Sequence, residues 1–269
     1  MKRLDSSNGF SMLEVLISLV LTGIITTVIL RSYVTQQRNY MVQDDVTVIQ
    51  QNARVGIDEL CRHIRMAGNN LPLGLSPLVV ANTNPDTITI RYRIDGCDTY
   101  LSDPMPQPSS ELKCATDVSC FEDGQWVYIF EPDSGGGEWF SITEVQSAAR
   151  HLQHNTMTLS RKYNADAILL SMEEIKFYID NTTDPTHPNL MVLVPGSPAA
   201  VFADNVVDLQ FRYRLKNGMT VDVPPLVDDV REVRVEVTGR SARPDVERPN
   251  EPYRLRTYAS SVNLRNVGI

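Results

Sequence analysis

At 269 residues the chain exceeds one small domain, and its 42% hydrophobic and 22% charged side chains are ordinary for a folded protein, which excludes wholesale disorder. A formal net charge of −8 gives the chain as a whole no electrostatic reason to bind nucleic acid. About 200 residues remain beyond the N-terminal helical stretch, enough for a sizeable core.

The chain opens on a polar leader holding Lys2 and Arg3 and ending at Gly9. From Phe10 to Leu30 the sequence is apolar for 21 residues, with Glu14 its one charged side chain. As a helix at about 1.5 Å per residue, that run covers roughly 30 Å, the thickness of a bilayer's hydrocarbon core. The glycine lies before the apolar run, so a cut at Gly9/Phe10 would leave the hydrophobic helix in the mature chain, unlike an ordinary secretory signal.

A glycine, then Phe10, then a glutamate as fifth residue of the mature chain resembles the prepilin signal of type IV pilins and type II secretion pseudopilins. The resemblance implies a prepilin peptidase that cuts between Gly9 and Phe10 and N-methylates the new Phe10 amine. Lys2 and Arg3 precede the span while Arg31 and Arg38 follow it, so positive charge does not decide orientation. The resemblance implies a cytoplasmic leader, a single pass of the bacterial inner membrane, a periplasmic head, and later residence in a pilus or pseudopilus. A carboxylate within a membrane helix is costly and a functional candidate by default. Glu14 could snorkel to the interface. In the filament reading it neutralises the Phe10 ammonium of a neighbouring subunit, where breaking a buried pair costs about 3–5 kcal/mol.

After Leu30 no proline occurs until Pro72, and Val42, Val46, Ile49, Ala53, Ile57, Leu60, Ile64 and Ala67 recur at steps of three and four. That spacing predicts one amphipathic continuation over residues 31–68, packed on the protein's own sheet, with a stop at Gly68 and Asn69-Asn70. The helix from Phe10 to Ala67 would extend roughly 87 Å. Gly56 and Gly23 mark candidate bends.

Beyond Pro72 the pattern becomes short β-rich runs in a head over residues 69–269. Thr87 to Ile94 alternates, Trp126–Phe130 and Trp139–Val145 suggest a hairpin, and further strands are expected at 156–160, 168–180, 190–194 and 206–215. Asn217-Gly218 predicts a tight turn into a return strand at 219–223, followed by strands at 230–237 and 253–264. Residues 95–124 read as a loop-rich insertion with Pro104, Pro106 and Pro108. The expected fold is α+β, a long N-terminal helix on a largely antiparallel sheet, pilin-like in plan.

The four cysteines are Cys61, Cys97, Cys114 and Cys120, and four cysteines allow three complete pairings. Three crowd the insertion, so at least one bridge is expected there, with Cys120 the foremost participant. Their spacing lacks a zinc pattern, and no metal or cofactor is expected. His151-x-x-His154 reads as surface loop, Asp228-Asp229 and Glu122-Asp123 as solvated turns, and Gly135-Gly136-Gly137 lacks the lysine of a phosphate loop. No nucleophile motif appears, so no enzyme is expected.

Ile49 to Leu60, Arg62 to Gly68, Asn205 to Tyr213 and Ser261 to Asn266 resemble segments of PilW-type minor pilins, the last two also segments of the related J-type pseudopilins. The resemblance implies a minor pilin that primes type IV pilus assembly near the filament tip. Its partners would be the prepilin peptidase, other minor pilins, the major pilin and the inner-membrane assembly platform. A type II secretion pseudopilin is the alternative, and a tip adhesin or DNA-uptake pilin acting through residues 95–124 is another.

Overall fold

One helix, α1 (Met12–Met66), opens the computed structural model, which describes residues 11–94, 96–133, 136–245, 250 and 252–267. The chain divides into two units, residues 1–48 and 49–269. In the first, Ser11 starts the helix: its Oγ accepts the N–H of Leu13 at 3.3 Å, and its carbonyl accepts those of Glu14 and Val15.

In the second unit the helix buries Ile49, Ala53, Gly56, Ile57, Leu60, Cys61 and Ile64 along one stripe. Gly56 faces the sheet, where a Cβ would lie 3.3 Å from Leu190 Cδ2, and α1 runs through it unbroken. The helix ends because Gly68 takes φ +80° and gives its N–H to Arg91 O at 3.0 Å. A Cβ at that position would collide with the Asn266 carbonyl.

Sixteen strands are described. They are β1 (Leu78–Ala81), β2 (Thr87–Tyr92), β3 (Asp98–Tyr100), β4 (Leu112–Lys113), β5 (Trp126–Phe130), β6 (Gly137–Ser141), β7 (Glu144–Gln146) and β8 (His151–Gln153). Then follow β9 (Ile168–Leu170), β10 (Glu173–Asp180), β11 (Asn189–Leu193), β12 (Ala200–Ala203), β13 (Val206–Leu215), β14 (Thr220–Val221), β15 (Val230–Arg240) and β16 (Leu255–Asn263). All their pairings are antiparallel. The architecture is α+β and pilin-like, a long N-terminal helix packed from Ile49 onward on antiparallel sheets.

A five-stranded sheet (β1-β2-β10-β11-β12) and a four-stranded sheet (β14-β13-β15-β16) share one core with the helix. Alternation builds that core: Val233, Val235 and Val237 point inward from β15 while Arg234 and Glu236 alternate with them. Gly218, at φ +83°, turns the chain from β13 to β14. The return strand is shorter than the 219–223 expected, because Pro224 and Pro225 stop its ladder.

The largest departure from expectation is the insertion. Strands β2 and β10 are neighbours, with Tyr92 paired to Glu173, and the chain between them builds two sheets of its own. Those are β3-β9-β5-β6 and β4-β8-β7, closed on a separate core that includes Leu101, Leu112, Ile129, Phe140, Leu152 and Leu169. Residues 95–124 are therefore only the opening part of an excursion that continues to Met172. Its strands β3 and β4 are three and two residues long, too short to display alternation. The expected strand at 156–160 does not form, and His151–Gln153 pairs instead; the run 168–180 breaks at Ser171-Met172 into β9 and β10.

Candidate assembly helix and the residues around it

Gly9 and Phe10 lie outside the described residues. Glu14 occupies the first turn of α1, where the helix dipole favours a carboxylate. It is exposed, as is every residue from Ser11 to Met41, including Leu13, Leu16, Val20, Ile24 and Val28. Nineteen residues from Met12 to Leu30 make a helix of roughly 28 Å, enough to cross a hydrocarbon core.

The polar groups along that run are satisfied within it. Ser18 Oγ donates to Glu14 O, Thr22 Oγ1 to Ser18 O and Thr26 Oγ1 to Thr22 O, each at 2.7 Å, and Thr27 Oγ1 donates to Gly23 O at 2.8 Å. Hydroxyls tied to their own helix enter a low-dielectric setting without an unmet donor. Glu14 has no such internal answer among the described residues. Its carboxylate is the group in the apolar run suited to accept a cation from elsewhere.

The cysteines separate by core. Cys97 and Cys120 form a disulfide at the mouth of the excursion, where Ser171 N–H also bonds Cys97 O at 2.9 Å. Cys114 lies inside the excursion core and Cys61 in the core shared with the helix, so neither joins a bridge. Burial pushes both thiols up, that of Cys114 to about 11.

The stretch read as a surface loop at His151-x-x-His154 proves structured. His151 is in β8, and His154 is buried, with Nδ1 2.7 Å from Met157 O and Nε2 2.8 Å from Ser110 O. Sequence reasoning missed this latch, since a buried histidine tying two loops leaves no periodic trace. It also missed that β13 and β15 set Arg212 directly opposite Arg234. Alternation places each arginine on an outer face, but strand register is not readable from either strand alone.

Residues 4–30 match the prokaryotic N-terminal methylation motif. No curated protein and no solved structure matches the chain. The motif supports a type IV pilin-like protein with a structural role in a pilus or pseudopilus, and the single apolar N-terminal helix fits a membrane-anchored pilin. It implies processing by a prepilin peptidase and assembly with other pilins at the membrane.

Proposed function

We propose that this chain is a minor pilin that takes part in priming and assembly of type IV pili, near the filament tip. Residues 1–9 are the leader, cleavage falls at Gly9/Phe10, the Phe10 amine is methylated, and residues 10–30 move from inner membrane to filament core. The head then stands in the periplasm. The observation that carries the reading is Glu14: a lone carboxylate in an exposed apolar helix, five residues into the mature chain and within the matched motif. Its role is to pair with the Phe10 ammonium of an adjacent subunit and so select register.

Glu14→Ala, expressed in place of the native chain, is expected to be cleaved normally, as read by mass, yet to lose piliation and co-purification with partner minor pilins. Breaking the pair costs about 3–5 kcal/mol once the helices leave water, ample to suppress assembly. Normal piliation by that variant would sink the pairing role. The same motif serves pseudopilins, and a deletion strain scored for secretion against twitching motility separates the two machines: loss of secretion with motility intact assigns the chain to type II secretion.

A further inference from the structure

The turn between β1 and β2 carries a buried charge that the chain leaves half answered. Its residues 82–86 read Asn-Thr-Asn-Pro-Asp, and the last of them docks on β13 beyond the reach of β14, which pairs only at Tyr213 and Arg214. Asp86 N–H donates to Leu209 O at 2.8 Å, and Asp86 Oδ2 accepts the N–H of Phe211 at 2.9 Å. The residue is 4% exposed. Its Oδ1 is enclosed without a hydrogen-bond partner, and no cation pairs with the carboxylate among the described residues. A buried carboxylate is stable as an anion only where donors or a cation answer both oxygens.

Other oxygen donors gather at the same place. Asp86 lines a basin of about 390 Å³ with Asn82, Asn84, Gln210, Asp222 and Glu236, and Arg212 is the cation on its wall. Gln210 Nε2 donates to Asn84 Oδ1 at 3.2 Å and to Asp208 Oδ1 at 2.9 Å, which draws two further oxygens toward one amide nitrogen. The arginines are already matched: Arg212 Nε faces Asp222 Oδ1 at 3.7 Å, and Arg234 Nε holds Glu236 Oε1 at 2.8 Å. The unmet negative charge therefore belongs to Asp86 and, beside it, Asp208. Asn82, Asn84 and Asp86 stand at alternate positions, the spacing at which a loop wrapping calcium presents its first ligands. The turn lacks the leading aspartate and closing glutamate of an EF-hand loop, so the enclosed Oδ1 of Asp86 is what marks it.

We propose that this basin binds one calcium-class divalent cation, with Asp86 Oδ1 as the anionic ligand and the carboxamide oxygens of Asn82 and Asn84 as neutral ones. No histidine or cysteine lines the basin, and hard oxygen donors disfavour a transition metal. Magnesium demands a tight octahedron, whereas calcium accepts irregular sets of carboxylate, amide and water oxygens. A site with one carboxylate ligand is weak, in the range of about 10⁻⁴–10⁻³ M typical of extracellular calcium modules. The bound ion would supply the charge that Asp86 lacks and tie the turn of the five-stranded sheet to β13 of the four-stranded one. This inference does not depend on the pilin reading.

The test uses the full chain in detergent micelles, stripped with EDTA, dialysed, and titrated calorimetrically with calcium chloride and separately with magnesium chloride. One equivalent of calcium should bind, at least tenfold more tightly than magnesium, and should raise the thermal midpoint read by circular dichroism. Asp86→Asn keeps the shape and removes the charge, and should weaken calcium binding at least tenfold. Because Asp86 is buried, Asn82→Ala, at an exposed position of the turn, is the second variant; it should keep the native dichroism, weaken binding at least threefold, and decide the matter if Asp86→Asn does not fold. Absence of calcium binding by the native chain would overturn the proposal. So would equal affinity for magnesium, which marks diffuse charge screening, or calcium binding unaltered in the variants.

Discussion

Trp139 Nε1 donates to Glu174 Oε1 at 3.0 Å, so a side chain of the excursion is anchored on a strand of the five-stranded sheet. The other oxygen of Glu174 receives Arg91 Nε at 2.6 Å, and the Arg91 guanidinium lies 5.5 Å above the Tyr128 ring. Two strands of the base, β2 and β10, thus clasp two strands of the excursion, β5 and β6, through one carboxylate. The Arg91 and Glu174 side chains are 16% and 17% exposed, which puts the pair between surface and buried cases.

Replacing Glu174 with alanine should therefore cost about 2–4 kcal/mol, because it strands a half-buried guanidinium and an indole N–H together. Both tryptophans, Trp126 and Trp139, belong to the excursion. Urea unfolding followed by tryptophan fluorescence should move to lower denaturant further than the same titration followed by helix dichroism. Coincident transitions, shifted equally, would show that the carboxylate does not act as a hinge pin.

The excursion should also be removable. Tyr92 and Glu173 are already a cross-strand pair, so replacing residues 94–171 with a short Asn-Gly turn asks β2 and β10 for an ordinary hairpin. The cost falls on Leu75, which packs in a small cluster with Tyr128, Phe130 and Leu170, and on Leu71 beside it. Far-ultraviolet dichroism of the shortened chain should retain the α1 signal with cooperative melting at a lower midpoint. Loss of cooperative melting would show that the base depends on the excursion for its fold.

How much of this was legible in the residues depends on length. The stripe Ile49, Ala53, Ile57, Leu60, Ile64 and the alternation of β13 and β15 extend over enough residues for their periods to emerge, and the helix and those strands lie where the pattern put them. Strands of two and three residues, such as β3 and β4, carry no measurable period, which is why residues 95–124 read as loop. The N-terminal motif was readable because it is linear. The facing of Arg212 and Arg234, the Trp139 to Glu174 bond and the choice of Cys97 with Cys120 arise only when distant segments meet.

The disulfide supports a chemical prediction. Cys97 and Cys120 are 23 positions apart, and closing a loop of that size stabilises the fold by about 3 kcal/mol through the unfolded chain. Cys97→Ser/Cys120→Ser should lower the unfolding free energy by that order. Native protein exposed to a thiol reagent should label neither Cys61 nor Cys114, both buried and both held protonated well above neutral pH. In denaturant, two equivalents should react. Prompt labelling of the native chain would contradict the enclosed cores.

The last prediction concerns acid. His63 Nδ1 is 3.0 Å from the Tyr92 hydroxyl and Nε2 is 3.1 Å from Glu59 Oε1, with the ring against Phe177. A neutral ring fits that geometry, Nε2–H donating to Glu59 and Nδ1 accepting from Tyr92 O–H. Burial lowers the imidazole below its ordinary 6.5, and the Glu59 carboxylate opposes that shift only in part. The unfolded chain therefore binds the proton more readily than the folded one. The contribution is fully present above pH 6.5 and is lost as pH falls from there toward the folded value. Urea midpoints measured at pH 7.5 and 5.5 should drop for the native chain by more than for His63→Gln, which cannot titrate. An equal drop in both would place the acid sensitivity elsewhere, and a rise in the native chain on acidification would show that Glu59 outweighs burial.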